Sequence, residues 1–125
     1  MSAQGSKSAR VQDRRKRLVV KLGTNLLTGG KETLDIEIMT DLVGQMAALI
    51  RDGYEILLVT SGAVAGGRRV VARRPGTEQP HSGDVPGRQV LAALGMPELM
   101  RTYDELFAKH GIAVAQALIS RPDIA

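Results

Sequence analysis

Two short apolar runs constrain this chain more than any other feature. Arg17-Leu-Val-Val-Lys-Leu22 and Glu55-Ile-Leu-Leu-Val-Thr60 are apolar at consecutive positions, and each gives way at once to Gly, Ser and Thr. A strand that is apolar at successive positions is covered on both faces, which is the signature of a parallel sheet. Parallel strands need a crossover, and the sequence supplies one. Asp35 is placed to cap a helix, with Ile36, Met39, Leu42, Val43, Met46, Leu49 and Ile50 behind it at helical spacing. Gly53 stands where a glycine ends a helix in the left-handed conformation. The spacing therefore predicts a helix over 35–52.

Past the second run, Ser61 to Gly67 reads as a small-residue turn leading into a helix start. Residues 72–87 hold Pro75, Gly76, Pro80, Gly83, Pro86 and Gly87, and read as a loop. Helical character resumes near Arg88, is broken at Gly95, and restarts with Pro97 in a first turn. Leu99, Met100, Tyr103, Leu106 and Phe107 mark the buried face of that last helix, which Gly111 ends. Ile112 to Ile119 reads as a third buried strand. The order strand, helix, strand, helices, strand predicts an α/β fold, a three-layer sandwich around a mainly parallel sheet. Three strands leave such a sheet with an open edge. Residues 17–125 therefore read as the front part of a domain that continues beyond the C-terminus, behind a basic tail over 1–16.

Charge divides the same way. Residues 1–17 carry six basic side chains against Asp13, whereas the rest hold 11 basic and 12 acidic ones. The basicity belongs to the tail, which reads as a solvated leader, with contact to an anionic partner as the alternative. It has no apolar core, so it does not read as a secretory signal; its basic, Ser-containing make-up leaves a short organelle-targeting leader as an alternative, and the cytoplasm is the expected location. Three aromatic residues, Tyr54, Tyr103 and Phe107, speak against base stacking and so against a nucleic-acid partner. The chain has no cysteine, which excludes disulfides, thiolate metal sites and cysteine nucleophiles. No run is long and apolar enough for a membrane helix.

In open α/β sheets, ligands bind beyond the carboxyl ends of the strands. Lys21-Leu-Gly-Thr-Asn25 and Thr60-Ser-Gly-Ala-Val64 lie there. Small residues let backbone N–H groups approach an anion, and a helix start adds partial positive charge. Lys21 ends an apolar run, where an ammonium calls for an anion, and its head is expected to point into the cleft. One cation, two anion-accepting turns and no metal-ligand cluster suggest phosphate chemistry. Neither G-x-x-x-x-G-K-S/T nor G-x-G-x-x-G is present, so this is neither a P-loop nor a dinucleotide fingerprint. Ser61 lacks the G-x-S-x-G elbow, and His81 and His110 read as surface residues. A serine hydrolase is not indicated.

The segments Val19-Val-Lys-Leu-Gly-Thr-Asn-Leu-Leu-Thr28 and Leu58-Val-Thr-Ser-Gly-Ala-Val-Ala65, with Gln89–Gly95 and Gly111–Asp123 following in order, resemble the glutamate 5-kinase branch of the amino-acid kinase family. The match runs from about residue 18 to the end, and Thr60-Ser-Gly-Ala-Val64 selects the branch. The resemblance implies transfer of the γ-phosphoryl of ATP, with Mg2+ bound through the nucleotide, to the side-chain carboxylate of L-glutamate, as the first step of proline synthesis. It implies that Lys21 is catalytic and, with Gly23 and Thr24, holds the phosphates. It implies that Ser61, Gly62 and Ala63 hold glutamate, and that the complete enzyme is a homo-oligomer. Two departures stand out: the segment 68–88 is longer and more basic than the family's, and Met96 replaces a frequent Gln. Arg68, Arg69, Arg73, Arg74 and Arg88 read as a solvated loop, with steering of anionic substrates as the alternative. The family's catalytic aspartate, second phosphate-binding lysine and base pocket fall beyond Ala125, so the 125 residues alone are expected to be inactive. The rival reading is a non-catalytic kinase-like module that binds an anion or a partner chain.

Overall fold

The computed structural model describes residues 16–74, 76 and 83–117. The two apolar runs form strands β1, Arg17–Leu22, and β2, Glu55–Thr60. They pair in parallel and in register, from Arg17 opposite Glu55 to Leu22 opposite Thr60. Lys16, assigned to the tail by sequence, extends this ladder, since its carbonyl accepts from Glu55 N at 2.9 Å. Residues 1–15 lie outside the described part.

Four helices accompany the strands: α1 over Thr24–Thr28, α2 over Ile36–Arg51, α3 over Ala63–Ala72 and α4 over Val85–Ala108. The crossover helix α2 follows its sequence signals closely. Asp35 caps it, accepting from Ile38 N at 3.2 Å, and this bond holds the Asp35 carboxyl below its ordinary pKa. Glu37 in the first turn and Arg51 in the last suit the helix dipole. Gly53 takes a φ of 98° just beyond the end. Met39, Val43 and Met46 of α2 join Leu22, Leu27, Ala65, Leu99 and Tyr103 in one core, with Val20, Ile56 and Leu58 packed against it.

The α/β order and the parallel pairing agree with the sequence, but the described helices cover only one face of the sheet. On the other face Val19 and Leu57 are 69% and 63% exposed. Three further expectations are corrected. Residues 112–117 form no strand, and Ala113 to Ala117 are exposed; a strand exists only where a neighbouring backbone pairs with it, and none does so here among the described residues. Residues 118 and 119 of that expected strand lie outside the described part. Thr24–Thr28, read as loop, is a short helix closed by Gly29 at φ 61°.

The third correction concerns Gly95 and Pro97, which do not interrupt α4. The helix starts at Val85 rather than Arg88, because Asp84 accepts from Gly87 N at 2.7 Å and Pro86 fits the first turn. Pro97 removes one N–H, which would have reached the carbonyl of Ala93, an exposed residue open to water. Gly95 serves packing. A Cβ on Gly95 would fall on the Ala63 carbonyl, one on Gly67 would fall on Leu91 O, and one on Gly66 would sit 2.7 Å from Gly95 O. Helices α3 and α4 thus cross backbone to backbone, which only glycine permits.

An ion cluster ties the same two helices together. Glu98 of α4 is buried, 5% exposed, and meets Arg73 at 2.5 Å, Arg101 at 2.6 Å and Arg69 at 3.4 Å. Burial pushes the Glu98 carboxyl up, but hydrogen bonds from Arg101 and Arg73 outweigh it, and the carboxyl lies below its ordinary pKa. Arg68 donates to Glu32 O at 3.3 Å. The expected solvated loop is therefore corrected for Arg68, Arg69 and Arg73, which are tied down by helix α3 and its partners. Arg74 and Arg88 are exposed. Of the loop itself, residues 75 and 77–82, His81 included, lie outside the described part.

Candidate functional site

The in-register ladder decides the geometry of this region. Because Leu22 pairs with Thr60 at the carboxyl ends of adjacent strands, the residues that follow them emerge side by side. Ser61 N still donates to Leu22 O at 2.9 Å, so the ladder extends one step past the strands. Gly23 then leads into α1 and Gly62 into α3. The two segments singled out in the sequence, Gly23-Thr24 and Ser61-Gly62-Ala63, are brought together by this pairing.

Each turn is built differently. Gly23 is extended, with φ −85° and ψ 162°, and a Cβ there would meet nothing within 4 Å. Thr24 behind it is exposed. Gly62 is buried and has φ 114°, a left-handed conformation that side chains resist. A Cβ on Gly62 would also press on Leu27 at 3.2 Å and Leu34 at 3.4 Å. No side chain caps α3 from Gly62, so the N–H groups of its first turn keep their donors unclaimed by a cap. Ser61 is exposed and Ala63 half-buried. The Ser61 hydroxyl has no hydrogen-bond partner among the described residues. This arrangement offers a hydroxyl and backbone donors at a helix start, which suits a carboxylate or a phosphate.

Lys21 stands one residue before the end of β1, opposite Val59. It is exposed and shares the uncovered face of the sheet with Val19 and Leu57. The described residues build no cleft around it, so the expected orientation into one is not met within this part of the molecule. Its ammonium makes no ion pair among the described residues. His110 is exposed beyond the end of α4, in keeping with a surface residue. Among the described residues no group of three His, Cys, Asp or Glu side chains is arranged to hold a metal ion, and no helix is long and apolar enough to cross a membrane.

Sequence reasoning missed one part of the site. In the sequence Thr60 reads as the first residue of the Thr60–Val64 segment and Tyr103 as core, with nothing to link the two. In the structure Thr60 Oγ1 and the Tyr103 hydroxyl are 2.7 Å apart, and the Thr60 hydroxyl donates to Ser61 O at 2.9 Å. Tyr103 is 2% exposed, and burial pushes its phenol pKa up, partly offset by the bond to Thr60. The available signal was weak: a tyrosine at a core position needs a partner for its hydroxyl, but nothing local names a residue 43 positions away.

The sequence pattern described as "Amino acid kinase family" matches residues 16–124. A protein of Dehalococcoides mccartyi named glutamate 5-kinase is 50% identical over 109 residues, which is 87% of this chain and 28% of that protein. Proteins of the same name from Chlorobaculum tepidum and Thermus thermophilus are each 47% identical, over 108 and 109 residues. The chain spans about 28% of the length of these curated relatives.

Proposed function

This chain belongs to the amino acid kinase family, and from that premise we propose that it supplies the N-terminal part of a glutamate 5-kinase. In this reading a side-chain carboxylate oxygen of L-glutamate attacks the γ-phosphorus of ATP. The bond from that phosphorus to the bridging oxygen breaks, ADP leaves, and γ-glutamyl phosphate forms for proline synthesis. Such a transfer asks of the protein mainly positioning and stabilisation of charge. Lys21 neutralises charge on the phosphates and on the group in flight. Backbone N–H groups of Gly23 and Thr24 donate to the phosphate oxygens, while Ser61, Gly62 and Ala63 hold glutamate. Mg2+ would be held through the nucleotide and would supply further charge neutralisation there. The enzyme acts in the cytoplasm, and its complete form is a homo-oligomer.

The observation that carries this reading is the juxtaposition of the two turns at the ends of paired parallel strands, with Lys21 beside them. The relatives' shared name supports the acceptor, and the exposed Lys21 supports the expectation that these 125 residues alone turn over no substrate.

The test is glutamate-dependent ADP formation by the protein in its full natural length. Lys21→Ala should lower kcat by about 100-fold or more. Ser61→Ala should raise KM for glutamate about tenfold with a smaller change in kcat. Loss of the lysine without loss of kcat would remove Lys21 from the phosphate site. Absence of glutamate-dependent turnover in the unsubstituted protein would defeat the kinase reading as a whole.

A further inference from the structure

Helix α4 touches the β2–α3 turn at two points, on either side of Ser61. Tyr103 sets its hydroxyl 2.7 Å from Thr60 Oγ1. Leu99, one helical turn earlier on the same face, lies against Gly62, 3.7 Å from where a Cβ would stand. Between these points both backbone groups of Ser61 are engaged, its N–H by Leu22 O and its carbonyl by the Thr60 hydroxyl, each at 2.9 Å. Thr60 has a single hydroxyl proton and gives it to Ser61 O, so the Tyr103 phenol is the donor to Thr60. Packing at this place asks only for a ring, and phenylalanine would fill it. The Tyr103 hydroxyl must answer to something other than volume.

The peptide that joins Ser61 to Gly62 explains what it answers to. A peptide unit is planar, so the direction of the Ser61 carbonyl fixes the direction of the Gly62 N–H. Glycine 62 makes that unit easy to rotate, because it tolerates backbone conformations closed to other residues. Without a restraint the Ser61 carbonyl and the Gly62 N–H could exchange directions, and the turn would then present an acceptor where an anion needs a donor. We infer that Tyr103 and Thr60 are positioning residues, a two-hydroxyl relay that locks the Ser61–Gly62 peptide and so aims the donors of this turn at the substrate carboxylate. The inference rests on the glutamate 5-kinase reading above and adds to it a specific means of substrate positioning.

The experiment compares unsubstituted protein of full natural length with Tyr103→Phe, Thr60→Val and Thr60→Ser. KM for glutamate, KM for ATP, kcat and melting temperature are measured for each. Tyr103→Phe should raise KM for glutamate about threefold to tenfold and leave KM for ATP and kcat within about twofold. Thr60→Val should raise it at least as much, and Thr60→Ser, which keeps the hydroxyl, should stay within about twofold of the unsubstituted protein. A purely structural role would lower the melting temperature and leave the glutamate KM alone. The inference is overturned if Tyr103→Phe leaves that KM unchanged in an active enzyme, or if Thr60→Ser is as harmful as Thr60→Val. If the unsubstituted protein forms no ADP with glutamate, the kinase reading falls first and this inference falls with it.

Discussion

The α3–α4 crossing and the outer face of the β1–β2 sheet are the two extremes of packing in this molecule. At the crossing, backbone meets backbone through Gly66, Gly67 and Gly95, with no room for a methyl group. On the sheet's outer face Val19, Leu57 and Val59 stand in solvent, 46–69% exposed. The two regions carry different information in their residue types. Apolar side chains on a parallel sheet announce that a cover is required, without saying what it is. Glycines spaced along two facing helices specify both the partner and the distance of approach. Steric fit is therefore complete in one region, while in the other the described residues leave it open.

The largest effect should come from breaking the tight side of this contrast. Gly95→Ala must push the Ala63 carbonyl away, and is expected to cost about 3 kcal/mol or more in urea melts of the 125-residue chain. A cost near that of an ordinary helix substitution would show that the two helices separate easily. The ion cluster on the same helix pair comes next. Glu98→Gln removes the charge shared by Arg69, Arg73 and Arg101, and should cost about 1–3 kcal/mol at pH 7. The folded pKa of Glu98 lies below its ordinary value. Its contribution is therefore fully present above that ordinary value and is lost as pH falls through the folded pKa. The difference between native and Glu98→Gln proteins should accordingly shrink in melts taken at progressively lower pH, while Asp35, present in both, cancels.

Gly44 sharpens the point from the other direction. It lies inside α2, where a Cβ would meet nothing within 4 Å and φ is not positive. Gly44→Ala should stabilise the chain by about 0.5–1 kcal/mol. Smallest of all should be Leu57→Thr on the bare face, within about 0.5 kcal/mol in the 125-residue chain. A large loss there would mean that the face is already covered.

What the sequence reveals follows the range of each signal. The strands, the α2 boundaries and the Asp35 cap are legible because every residue that defines them is near in sequence. Gly95 misleads because the same residue serves helix ends and close crossings, and only the partner helix tells which. The run from Ile112 reads as a strand on composition, but pairing depends on a neighbour that composition does not supply. In the site, the two turns are legible as Gly/Ser/Thr segments after apolar runs. The Thr60–Tyr103 bond and the Arg69–Glu98 pair are not, because they join residues 43 and 29 positions apart through the packing of α4.

The bare face also matters to a ribosome. In the N-terminal placement proposed above, and at the relatives' length, this segment leaves the ribosome with most of the chain still to be made. At about 5–20 residues per second, the interval before translation is complete is on the order of tens of seconds. Throughout it, a strip of valine and leucine and, among the described residues, the unpaired edges of a two-stranded sheet face solvent. Such surfaces recruit holdase chaperones or other copies of themselves. Slow codons placed after this segment would lengthen that exposure, and the yield of folded protein should respond to chaperone supply more than to the stability of the finished protein.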